Sequence, residues 1–178
     1  MKSDRELVKL ANQGDPDAFE ILYYRYRDWV YRLAWRWTGN QHDALDVLQE
    51  TFTYLLGKFP GFKLTASMTT FLYPAVKHIS MAIRTKKHRY SSDNEDLSQW
   101  TTSNPKRQTD QERSELAAVL NILPDEQREI VLMRFVDDMR LAEIADALDI
   151  PLSTVKSRLY HALDILRNDK RTRNYFLE

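Results

Sequence analysis

Thr154, Lys156, Ser157, Arg158, Tyr160 and His161 form a close-set group of donors, cations and rings. Such groups suit phosphate oxygens and the major-groove edges of bases. Between them run Val155, Leu159, Ala162 and Leu166, apolar positions at helical spacing. Leu141, Ile144, Ala145 and Leu148 show the same spacing just upstream. Asp149-Ile150-Pro151 separates the two sets, because proline disfavours helical geometry in the residue before it. Ser153 and Thr154 are then placed to satisfy free amides at the next helix start. Two short amphipathic helices around a tight corner predict a helix-turn-helix with its second helix facing a nucleic-acid duplex. A solvated basic face on an ordinary helical hairpin would use the same residues.

A second group is acidic. On a helix, Asp43, Asp46 and Glu50 fall three and seven residues apart on one face with Gln49 beside them, suiting a cationic surface or simply solvent. A basic run, Arg84 to Arg89, lies further along. The formal charge over 178 residues is +0, so only this segregation points to partners, one anionic and one cationic. Enzymatic chemistry finds no support. With no cysteine there is no thiol nucleophile, disulfide or cysteine-held zinc; His42, His78, His88 and His161 lack ligand spacing; and no glycine-rich loop cradles phosphate. We expect no enzyme, cofactor or metal. No apolar run approaches the ~20 residues that span a bilayer, and the N-terminal residues lack a signal-peptide core. The expectation is a cytoplasmic protein without membrane insertion.

The elements that must position these groups are helical, since 4 glycines and 6 prolines are few for a turn-rich β protein. A first helix runs from near Asp4 to Gln13 and ends at Gly14. Asp15 and Pro16 then start a second, which carries an aromatic stripe to Trp37 and stops at Gly39-Asn40. A third fits Asp43 to Lys58, with Ala44, Leu48, Phe52 and Leu55 inward. A fourth fits Thr70 to Arg89, where Pro74 falls in the first turn of a late start or kinks an early one. From Tyr90 to Glu115 the chain is polar apart from Leu97 and Trp100, and reads as a linker. Helices near Leu116–Ile122 and Glu126–Val136 then lead into the helix-turn-helix. The fold class is all-α: two small helical domains, 1–90 and 115–178, joined by a linker at 91–114, the second being the helix-turn-helix.

In this order the chain resembles the extracytoplasmic-function group of bacterial sigma factors. Gly14-Asp-Pro-Asp-Ala-Phe19, Tyr24-Arg-Tyr26, Gly39-Asn40, Asp43-Ala-Leu-Asp-Val-Leu-Gln-Glu-Thr-Phe52 and Thr70-Phe-Leu-Tyr73 are similar to the family's first domain. Leu123-Pro-Asp-Glu-Gln-Arg128, Glu143-Ile-Ala145 and Thr154-Val-Lys-Ser-Arg158 are similar to its second. The resemblance implies a transcription initiation factor that docks on core RNA polymerase, at the largest-subunit coiled coil and the flap, and reads promoter DNA. Asp43, Asp46, Gln49 and Glu50 are the implied polymerase contacts.

For the −10 element it implies Phe71, Lys77, His78, Arg84, Lys86, Lys87 and Arg89, with rings stacking on unpaired bases and cations holding the backbone. Tyr73 joins them, although Phe71 and Tyr73 equally suit a core. Phe71, Pro74 and His78 depart from the tryptophan, arginine and asparagine usual in the family. For the −35 element it implies Arg134, Thr154, Lys156, Ser157, Arg158, Tyr160 and His161. Lys156 is the favoured base reader, while Arg158 has the alternative of bridging within its domain. Asp149 and Ser153 stand where the family's turn usually has glycines. Control is expected through an anti-sigma protein or a Ser/Thr kinase. Leu45 replaces a common carboxylate, and Thr51 and Thr53 are candidate phosphate acceptors that would restore the charge. The rival readings are a stand-alone helix-turn-helix regulator and a helical module that mimics a sigma factor.

Overall fold

The structure, a computed structural model, describes residues 2–90, 118–169 and 172. It is all-helical among the described residues and divides into two compact units, Met1–Ser103 and Asn104–Glu178. The linker reading at 91–114 and the side chains of His88 and Arg89 lie outside the described residues.

The first unit contains α1 (Asp4–Asn12), α2 (Pro16–Thr38), α3 (Gln41–Leu56) and α4 (Met68–Tyr90). Local chemistry sets their ends. Ser3 and Glu6 form a reciprocal capping box at α1, and those Ser3 hydrogen bonds hold the Glu6 carboxyl below its usual value. The Asp15 carboxylate caps α2 with Pro16 in the first turn, and Gly39 ends it in the left-handed conformation at φ 74°. Asn40 caps α3, its side chain accepting from the Asp43 amide at 2.9 Å, so this helix starts and ends two residues earlier than the periodicity suggests. Ser67 accepts from the Thr70 amide at 3.2 Å, giving α4 its early start. Pro74 therefore lies inside α4, on an exposed face, where it brings no amide hydrogen to the helix ladder.

The core between these helices includes Leu7, Leu22, Val30, Leu33, Val47, Leu55, Leu72, Tyr73 and Val76. Each such side chain contributes roughly 1.5–3 kcal/mol on burial. Leu48 is only half-buried; Asp43, Val47 and Thr51 take the inward positions on α3 instead. Arg25 and Tyr26 of α2 both donate to Asp4, tying α1 down.

In the second unit, residues 118–120 are helical and are followed by α5 (Asp125–Phe135), α6 (Leu141–Leu148) and α7 (Leu152–Asn168). Arg128 fastens the approach to α5 by donating to the carbonyls of Leu120 at 2.8 Å and Leu123 at 2.8 Å. Ile130, Met133, Met139, Ile144, Val155 and Ala162 form the core. The α6–α7 corner turns at Asp149, which adopts φ 52°, ψ 47°, the left-handed conformation that glycine takes without strain. Pro151, not Ser153 or Thr154, is the N-cap of α7, and no side chain caps it. Pro151 holds an extended ψ of 141° and the helix begins at Leu152, so both hydroxyl residues already lie inside the first turn.

Candidate nucleic-acid interface

On α7, Val155, Leu159, Ala162 and Leu166 are all buried. Lys156, Ser157, Tyr160 and His161 lie on the opposite side and are exposed, Tyr160 by 71%. The rotation between the two sets is what a 3.6-residue repeat requires when one face is anchored in a core. Thr154 is half-buried at the edge of this stripe, and the Ser157 hydroxyl donates to the Thr154 carbonyl at 3.1 Å. Arg158 departs from the exposed set. Its Nη2 lies 2.5 Å from Glu126 Oε2 on α5, so the guanidinium bridges within the unit. Arg134, also on α5, lies 3.7 Å from Asp138 and donates to the Met139 carbonyl at 3.4 Å.

The first unit redistributes the residues expected to contact polymerase and the −10 strand. Asp46 is half exposed and Gln49 and Glu50 are exposed on α3, but Asp43 is withdrawn at 2% exposure. Helix phase explains this correction: Asp43 shares its face with Val47 and Thr51, which pack inward. Its carboxylate accepts from Asn40 Nδ2 at 2.6 Å and takes the Lys87 ammonium at 2.6 and 2.8 Å on its two oxygens. Burial by itself would raise the Asp43 carboxyl; the Asn40 and Lys87 hydrogen bonds outweigh it and hold the group below the usual carboxylate range. The same turn brings His42, Asp43 and Asp46 close together, with His42 Nδ1 3.2 Å from Asp46. Lys87 already supplies the cation for Asp43.

Lys87 was expected to hold nucleic-acid backbone and instead neutralises this buried acid. Arg84 donates to the Trp37 carbonyl at 3.3 Å, and Lys77 lies 5.2 Å from the centre of the Trp37 ring. Lys86 and His78 are exposed. Tyr73 is fully buried, a core residue rather than a stacking ring. Phe71 is half-buried, covered by Tyr54 at 6.0 Å and Phe62 at 4.7 Å. Thr51 is fully buried with no hydrogen-bond partner for its hydroxyl among the described residues, whereas Thr53 is exposed.

Sequence reasoning missed Asn12. The Asn12 side chain accepts from the Gly61 and Phe62 amides at 2.7 and 3.0 Å and donates to the Phe62 carbonyl at 2.8 Å, pinning the α3–α4 loop. The partners are some fifty residues apart, and no local pattern announces the contact.

Known proteins carry the same two parts. Residues 22–90 match Sigma-70 region 2 and residues 113–166 match Sigma-70, region 4. The chain is 29% identical to the ECF RNA polymerase sigma factor SigW of Bacillus subtilis, covering 94% of this chain and 96% of the relative. It is 27% identical to the ECF RNA polymerase sigma-E factor of Escherichia coli, with 93% of each covered. Among solved structures, CnrH in complex with the cytosolic domain of CnrY superposes with a TM-score of 0.68 at 20% identity, covering 92% of this chain and 94% of that one. The sigma factor RpoE of Bartonella quintana, in complex with the anti-sigma factor NepR, gives 0.65 at 18% identity, covering 84% and 94%. These two share the helical fold. With a region 2 match on the unit that holds the α3 acidic face, a region 4 match on the helix-turn-helix, and curated relatives matched nearly end to end, the chain belongs to the extracytoplasmic-function group of RNA polymerase sigma factors.

Proposed function

We propose that this sigma factor divides promoter recognition between domains at 1–90 and 115–178. The first docks on core polymerase through Asp46, Gln49 and Glu50 and holds the opened −10 strand along the α3–α4 loop and α4, with His78 and Lys86 on the exposed side. The second reads the −35 element through Lys156, Ser157, Tyr160 and His161, Lys156 being the principal base contact. The observation that carries this reading is the exposed stripe on α7, set opposite a fully buried face in a helix-turn-helix. The factor is a non-enzymatic initiation component, and we place it in the cytoplasm with polymerase; no helix among the described residues is long and apolar enough to cross a membrane.

Control is assigned first to an anti-sigma protein, the kind of partner that RpoE of Bartonella quintana carries in its solved complex. A phosphate switch on α3 would act at Thr53, because Thr51 is buried. It would restore the charge that Leu45 removes from the docking face. Thr53→Glu should then raise core-polymerase affinity above Thr53→Ala; equal affinities remove the switch. The wider reading is tested by run-off transcription with purified core polymerase. Promoter-specific transcript that depends on this chain supports it, and specific duplex binding by the free chain without such transcript favours a stand-alone regulator.

A further inference from the structure

We infer that Asn12 is a positioning residue for the opened strand: from the last turn of α1 it sets the backbone of the α3–α4 loop in the form that receives DNA. The inference rests on the strand-holding role proposed for that loop. Asn12 Oδ1 accepts from the consecutive amides of Gly61 at 2.7 Å and Phe62 at 3.0 Å, and Nδ2 donates to the Phe62 carbonyl at 2.8 Å. Only a carboxamide side chain offers an acceptor oxygen and an NH2 donor from one plane. Gly61 sits at φ 105°, a conformation that costs glycine little and that other residues rarely adopt. A free glycine ranges widely, so the clasp selects one loop form out of many.

Both sides of the clasp are anchored. α1 buries Leu7 and Val8 and is tied at its start by Arg25 and Tyr26 of α2, which donate to Asp4. On the loop side the Phe62 ring is buried against Phe59 at 5.5 Å and Phe71 at 4.7 Å. Lys58, Gly61 and Lys63 nevertheless stay exposed, so the loop is ordered from within while its outer side remains open to a partner. A loop already fixed in its bound form has less freedom to lose on binding, which strengthens its hold on a strand. Asn12 lies before residues 22–90, the stretch that matches Sigma-70 region 2. The brace therefore comes from outside that region, and it acts on DNA through the loop.

The test uses the full chain with core polymerase and a mixed-sequence single-stranded DNA. Asn12→Ala should weaken strand binding about tenfold while core-polymerase affinity stays at the wild-type value. Asn12→Asp keeps an acceptor for the two amides but turns an oxygen on the Phe62 carbonyl, and should lose strand affinity by an intermediate factor. Gly61→Ala, strained at its positive φ, should also weaken strand binding. Joined to Asn12→Ala it should cost less than the product of the two factors, because both act on one loop conformation. A merely structural Asn12 would lower core and strand affinity together. That result, unchanged strand binding by Asn12→Ala, or fully multiplicative losses in the double variant would overturn the positioning role and leave the strand-holding role intact. Failure of the wild-type holoenzyme to bind the strand better than core polymerase overturns both.

Discussion

Lys87 in the first unit and Arg158 in the second are both implied DNA contacts, Arg158 with the alternative of bridging within its domain, and each meets a carboxylate of its own unit. The two acids differ in burial. The Asp43 side chain is 4% exposed and that of Glu126 69%. A buried carboxylate that loses its counter-ion keeps its desolvation cost, so Lys87 is bound to the fold. An exposed carboxylate regains water when its partner leaves, and such a pair contributes only about 0–1 kcal/mol. On this ground Arg158 should be released to a DNA phosphate more readily than Lys87. Whether a basic residue on a DNA-binding protein is available to DNA depends on the burial of the acid it already touches.

The largest expected effect breaks the first pair. Lys87→Met leaves Asp43 with only its Asn40 hydrogen bond and should destabilise the first unit by about 1–3 kcal/mol, read by urea titration of the fluorescence of Trp29, Trp35 and Trp37 on α2. Adding Asp43→Asn should recover part of that loss. Should Lys87→Met cost no more than Glu126→Gln, the distinction by burial fails. The same pair makes stability pH-dependent. The Asp43 carboxyl is depressed in the folded state, so its contribution is complete above the unfolded carboxylate value of about 4 and is lost as pH falls through the lower folded value. Urea midpoints taken from pH 6 downward should fall more steeply in wild type than in the double variant.

Next in size is Lys156→Ala, which should weaken −35 duplex binding roughly tenfold and leave core-polymerase affinity unchanged, by fluorescence anisotropy. Glu126→Gln sharpens the contrast from the other side. Freeing Arg158 should tighten duplex binding several-fold and steepen its salt slope by about 0.9; an unchanged slope would mean that Arg158 stays with its unit even without the acid. The smallest effect is expected at the corner that aims α7. Asp149→Gly relieves a left-handed residue and should stabilise the second unit by about 0.5 kcal/mol in thermal melts.

Most helix ends were legible because their causes are local: Ser3 with Glu6, Asp15 with Pro16, and Gly39 followed by Asn40 each act within a few residues. The exposed stripe of α7 was legible for the same reason, since a 3.6-residue repeat places Lys156 and Tyr160 opposite Val155 and Leu159 without reference to the rest of the chain. The acidic face of α3 differs from the periodic reading at Asp43: Val47 and Thr51 pack inward and carry Asp43 with them, and Lys87, forty-four residues away, supplies the counter-charge that no local pattern announces. Residue types and short-range spacing thus determined the helices, their order and the family. Tertiary packing decided which charges and rings remain for a partner, because exposure depends on neighbours brought from distant positions. It buried Asp43, Thr51 and Tyr73 and covered Phe71.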